Sequence, residues 1–130
     1  MTTLPIVFIS HFTVKPGHAD ALRAMWSSVA ADLEASKPAT TAQVAYLSAD
    51  SGRLSIVHLF PDAAALRAHF VGAGERSRAA YEHVVPAGWE VYGRPDDAEL
   101  AGLRAEADAS GVALTVEPDG LGGFLRTSGS

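Results

Sequence analysis

The apolar positions of this chain change their period several times, and each change marks an element. Ile6-Val7-Phe8-Ile9-Ser10-His11-Phe12-Thr13-Val14 is a β-branched and aromatic run that closes on Lys15-Pro16-Gly17, which reads as a strand and a turn. Leu22, Met25, Trp26, Val29 and Leu33 then fall at i, i+3, i+4, i+7 and i+11, the single stripe of an amphipathic helix. Asp20 suits the first turn of that helix, and Lys37-Pro38 ends it. Thr41 to Leu47 reads as a strand, Asp50-Ser51-Gly52-Arg53 as a turn, and Leu54 to Phe60 as the second arm of a hairpin. After Pro61-Asp62 a helix runs from Ala63 to Phe70 and meets Gly72-Ala73-Gly74, where a break is expected. A further helical piece, about Glu75 to Val84, leads through Pro86-Ala87-Gly88 to a fourth strand, Trp89 to Tyr92.

Strand, helix, strand, strand, helix, strand is the order of two βαβ halves. It predicts an α+β fold, a ferredoxin-like βαββαβ antiparallel sheet with both helices on one face. The helices cover only one apolar face of such a sheet, so the other is expected to meet a second copy of the chain. The core domain is expected over residues 1–93. Residues 94–130 form a C-terminal helix-strand extension, packed on the same domain or its dimer partner. It opens with Asp96 and Glu99 at capping-box spacing, continues as a polar helix to about Asp108, and adds a strand at Val112 to Val116 that would extend a sheet edge. Fraying is expected from Thr127 onward.

Composition sharpens this picture. Apolar residues make up 48% of the 130 and charged residues 19%, an apolar excess that favours an oligomer interface or an enclosed pocket. The net charge of −5 and the scattered basic residues argue against nucleic acid. There is no cysteine, which removes disulfides, zinc ribbons and thiol chemistry. The first residues lack the charge and length of a signal peptide, and no run is long enough to span a membrane, so a cytoplasmic protein is expected. No His-Glu-x-x-His, Gly-x-Ser-x-Gly or phosphate-loop pattern is present, and no metal is expected.

Thr13-Val14-Lys15-Pro16-Gly17-His18, followed at distance by Phe60-Pro61-Asp62 and the helix carrying Ala65 and His69, resembles the antibiotic biosynthesis monooxygenase-like domains of the dimeric α+β barrel superfamily. The resemblance covers about Ile6 to Tyr92. It implies a homodimer whose sheets meet face to face, and a pocket between each sheet and its own helices. The family includes cofactor-independent oxygenases of polyphenolic and quinol-like substrates as well as haem-degrading enzymes. The haem branch places an asparagine where this chain has Ser10 and a tryptophan where it has Phe60, and its helix histidine could only be His83. Two of the three are absent, so haem is disfavoured and no cofactor is expected.

A cofactor-free oxygenase needs a dry aromatic cavity and a base that removes a proton from an electron-rich substrate. Histidine titrates near neutrality and suits that task. Strand alternation puts His58 on the face of Ile56 and Phe60, the pocket face if Phe60 follows the family position; the plainer alternative is a core histidine bonded to a carbonyl. His69 matches the family's helix histidine, which can equally be structural. Tyr81 is a candidate donor, and His58, His69 and Tyr81 together are the candidate catalytic residues. Ser10, Met25, Trp26, Phe60 and His83 are the candidate substrate-binding residues, with Met25 and Trp26 also explicable as ordinary core. His11 is expected at the partner subunit. The expected activity is a cofactor-independent monooxygenase acting on an aromatic or quinol-like molecule. The alternatives are a non-catalytic ligand-binding dimer and a polyketide cyclase or isomerase-like enzyme using the same acid–base groups.

Overall fold

The computed structural model describes residues 4–126; the fraying expected from Thr127 onward lies outside them. Nine elements follow in the order β1 (Ile6–Val14), α1 (Ala19–Ser36), β2 (Ala42–Leu47), β3 (Arg53–Phe60), α2 (Ala63–Phe70), α3 (Ala73–Ala80), β4 (Val84–Tyr92), α4 (Asp97–Ser110) and β5 (Leu114–Glu117). The strands form one sheet in the order β2-β3-β1-β4-β5. The first four pair antiparallel, and β5 joins β4 in parallel, so the sheet is mixed. The α+β class and the βαββαβ core match the sequence reading, and the fifth strand makes the whole sheet mixed where the core alone is antiparallel.

Alternation sorts each strand into two faces. Ile6, Phe8, Phe12 and Val14 of β1, Leu54, His58 and Phe60 of β3, and Trp89 and Val91 of β4 are buried. They split into two clusters. One gathers Phe8, Phe60, Leu66, Trp89, Val91 and Leu103. The other gathers Phe12, Val14, Leu22, Leu54 and Val84. Leu103 and Ala107 of α4 belong to the first cluster, so the C-terminal helix shares its apolar contacts with the sheet.

Three local features of the elements have simple causes. β4 begins at Val84, well before Trp89, and runs through Pro86. That is tolerated because β5 pairs β4 only from Trp89 onward, leaving Pro86 beside β1 alone, and the register shifts between His11 and Phe12 there. The α2–α3 break falls at Val71-Gly72, where Gly72 takes φ 83°, a left-handed conformation that favours glycine. The capping box of α4 does not close: Asp96 stands at the N-cap position without a side-chain cap bond, and its carboxylate pairs with Arg67 of α2. Asp62, by contrast, caps α2 by accepting from the Ala65 amide at 2.9 Å.

Among the described residues no helix lies on the opposite sheet face. Its rows read across the strands, for example Val44, Val57, Ile9, Glu90 and Thr115 on β2, β3, β1, β4 and β5. Val7, Ile9, Val57 and Leu59 are half-buried, while Val44 and Tyr46 are 43% and 64% exposed. His11 lies on this face and bonds the Ser55 hydroxyl at 3.0 Å and the Glu90 carboxylate at 2.5 Å. The Tyr92 hydroxyl donates to Glu90 at 2.6 Å, and these two bonds hold the Glu90 carboxyl below its usual range.

Candidate active site

A cavity of about 740 Å³ lies between the sheet and its helices. Its roof is the α1 stripe Leu22, Met25, Trp26, Val29 and Leu33, so the residues that make that helix amphipathic are the ones that line the hollow. Its floor is the inner sheet face, with Phe8, Ser10 and Phe12 of β1 and Leu54, Ile56 and His58 of β3. The ends are lined by His69, Phe70, Arg76 and Tyr81 around α2 and α3, and by Leu103 and Glu106 of α4.

The lining is mostly apolar, and its polar members include two histidines beside Ser10, Gln43, Arg76, Tyr81 and Glu106. His58 is buried and its Nδ1–H donates to the Phe8 carbonyl at 3.0 Å, which fixes the tautomer and leaves Nε2 as an unprotonated acceptor. His69, on α2, is also buried and shares a hydrogen bond of 2.8 Å with the Thr40 hydroxyl. The rings of His58 and His69 meet edge to face with centroids 5.4 Å apart, and Phe60 stacks on His58 at 6.1 Å. Burial drives His58 down to about 4 from an ordinary 6.5; the Phe8 bond opposes this and does not offset it, and the Arg76 guanidinium adds to it. His69 falls to about 3, first through burial and then through the neighbouring His58, Arg76 and Lys37. Both are therefore neutral at physiological pH.

A stability consequence follows. The folded pKa values lie below the unfolded value, so between about 4 and 6.5 the unfolded chain binds more protons and stability rises with pH. The contribution is complete above 6.5 and is lost as pH falls through the folded values. Unfolding free energies from urea titrations should drop by on the order of a few kcal/mol from pH 7 down to 4, and a His58→Phe variant should show a shallower slope.

Tyr81 caps α3 on the cavity side, with its ring 6.2 Å from that of Phe12. Burial raises its pKa first and Glu106 raises it further, so the phenol is a donor at neutral pH. Arg76 donates to the carbonyls of His69 at 2.6 Å and Val71 at 3.1 Å, and Lys37 donates to those of Ala68 and Val71. Two cations thus hold the C-terminal end of α2, where free carbonyls favour positive charge, and so fix the backbone that carries His69.

The structure brings His58, His69, Tyr81, Ser10, Met25 and Trp26 to one cavity. Phe60 stands just behind, fully buried and packed on both histidines. His83 is not brought there. Two residues past Tyr81 the chain turns into β4, and the His83 ring bonds His18 through their Nδ1 atoms at 3.0 Å. His83, the position where the haem-degrading branch would place its histidine, therefore lies outside the hollow. Among the described residues no three His, Cys, Asp or Glu side chains converge to hold a metal ion. Sequence reasoning missed Gln43, Arg76, Leu103 and Glu106, all of which line the cavity.

The sequence matches no family model and no curated protein. Its structure is similar to that of MupZ from Pseudomonas fluorescens, with a TM-score of 0.70 at 17% identity, covering 97% of this chain and 98% of MupZ. It is also similar to SnoaB, a cofactor-independent oxygenase from Streptomyces nogalater, with a TM-score of 0.59 at 14% identity over 72% of this chain and 96% of SnoaB. A candidate antibiotic biosynthesis monooxygenase from Bacteroides thetaiotaomicron aligns with a TM-score of 0.54 at 14% identity, over 62% of this chain and 80% of its own. The chain has the antibiotic biosynthesis monooxygenase-like fold. The monooxygenase-like fold here continues into α4 and β5, and the coverage of MupZ extends over that part as well. No helix among the described residues is long and apolar enough to cross a membrane.

Proposed function

We propose that this protein is a cofactor-independent monooxygenase of an aromatic, quinol-like small molecule. The observation that carries the reading is the pair of neutral histidines in a mostly apolar cavity lined in part by aromatic rings. His58 offers an unprotonated Nε2 held in place by the Phe8 carbonyl, where a base is required. A mostly apolar lining favours reaction of an organic anion with dioxygen over its re-protonation by water. The similarity to SnoaB supports the same reading.

For an anthrone the steps balance as follows. His58 takes a proton from the ring methylene, and the resulting carbanion passes one electron to O2. The radical pair combines into a C–O bond, giving a peroxide that receives a proton from the histidinium. Loss of the remaining methylene proton with the terminal hydroxide breaks the O–O bond. The carbon leaves as a carbonyl and the second oxygen atom as water, so dioxygen accepts four electrons from the two C–H bonds and no external reductant is consumed. Tyr81 stands as a neutral donor toward the developing oxyanion.

The working unit we infer is a homodimer joined through the helix-free sheet face, whose half-buried Val7, Ile9, Val57 and Leu59 no helix covers among the described residues. The test of function is oxygen uptake with a panel of anthrones and naphthohydroquinones, run aerobically and under nitrogen. Uptake above the buffer rate, matched by quinone formation, is the expected result. No uptake across the panel would remove the oxygenase reading. Conversion of a ligand under nitrogen would point to an isomerase or cyclase using the same groups.

A further inference from the structure

Gln43 stands directly across from His58 in the β2–β3 ladder and lines the cavity. Partners in that register share a face, with Cβ atoms about 5 Å apart. The Gln43 Oε1 is enclosed and has no hydrogen-bond partner among the described residues. Buried acceptors in folded proteins are nearly always paired, because leaving one unmade forfeits its hydration without return. Here the unpaired acceptor sits beside another one: His58 Nδ1–H is committed to Phe8, so Nε2 also accepts. Ser10, across the ladder from Ile56 and Trp89, lies on the same floor but belongs to the next strand. The torsion that turns a glutamine amide is broad, so the amide can swing toward a ligand without cost in backbone geometry.

We propose that Gln43 is a specificity-determining residue that accepts a hydrogen bond from a second hydroxyl of the ligand, next to the group that His58 engages. The site then favours an aromatic body with two neighbouring hydrogen-bond donors over one with a single donor. The amide does not act on the proton transferred; it holds the ring in register with His58. This deepens the aromatic-ligand reading and rests on it, and it does not depend on whether oxygen is used.

The test compares 2,3-dihydroxynaphthalene with 2-naphthol under nitrogen, following binding by quenching of Trp26 and Trp89 fluorescence. These probes share one ring system and differ by one hydroxyl. Wild type is expected to bind the diol about tenfold more tightly, and Gln43→Leu and Gln43→Met to lose that preference while still binding 2-naphthol. Thermal melting of the unliganded variants gives a second readout. Removing an enclosed, unpaired amide oxygen should raise Tm by about 3 °C or more, whereas an amide with a structural role would lower it. An unchanged diol preference in both variants, or a fall in Tm in both, overturns the assignment of Gln43. Failure of wild type to bind either naphthol counts against the aromatic-ligand reading instead, and the melting data still decide whether the amide is structural.

Discussion

His58→Phe is expected to lower kcat by about 10²–10⁴-fold, the span that general-base catalysis supplies, with a much smaller change in KM. Phenylalanine is the informative substitution because His58 sits among rings, with Phe8 at 5.0 Å and Phe60 at 6.1 Å, and an aromatic replacement keeps that packing. The cost to the fold is the Nδ1–H bond to the Phe8 carbonyl, which leaves an acceptor unpaired. Single-turnover rates separate the chemistry from binding. In wild type the acid limb of the rate profile should fall near pH 4 and not near 6.5, because burial holds His58 neutral down to that value. His69→Phe should retain more activity: its ring shares a hydrogen bond with Thr40 and packs edge-on against His58, so it places the base. Full activity in both variants would show that the hollow does its work with other groups.

The second large effect concerns assembly. Val57 lies at the centre of the helix-free face, between Val44 and Ile9. Wild type is expected to sediment as a dimer at micromolar concentration, and Val57→Glu as a monomer. At about 25 cal/mol for each Å² of apolar surface, several hundred Å² buried per protomer amounts to roughly 10 kcal/mol or more before association costs, and a carboxylate facing its own symmetry mate cancels much of that. The same face holds a polar chain, Ser55–His11–Glu90–Tyr92, half shielded already in the protomer. In a dimer it would be enclosed with its bonds made, so it need not oppose pairing. Leu121 and Phe124, beyond β5, are also exposed. Wild-type protein that stays a well-folded monomer at those concentrations would refute the pairing.

Much of the candidate site was legible because it obeys periodicity. The α1 stripe had to face the sheet wherever the sheet lay, so Met25 and Trp26 were placed by counting alone. His58 followed from strand alternation once Phe60 was taken as facing inward. Gln43 was not legible, because its partnership with His58 depends on the hairpin register. That register is set by how Ser48 to Gly52 turn, with Ser51 at a positive φ of 60° and Asp50 bonding the Gly52 amide. Counting back from that turn would have placed Gln43 opposite His58 had its geometry been known.

His83 shows the opposite failure. The helix break at Gly72 was visible in composition, but the direction in which the chain leaves α3 was not, and a two-residue step separates Tyr81 in the cavity from a histidine bonded to His18. The C-terminal extension was expected to pack on its own domain or the partner's, but the residues that would do so were not legible. Its helix looked like an appendage, since Leu103 and Ala107 are a thin apolar stripe among charges. Folding lays that stripe on Trp89 and Val91 and turns Glu106 to the cavity.

What the sequence by itself determined is the set of elements, their order, and which face of each is apolar, since these depend on residues close together along the chain. Only the tertiary structure decided which polar side chains meet inside the hollow. Those meetings depend on strand register, on the exit of α3 and on the docking of α4, and each of these is set by contacts between segments that no local pattern encodes.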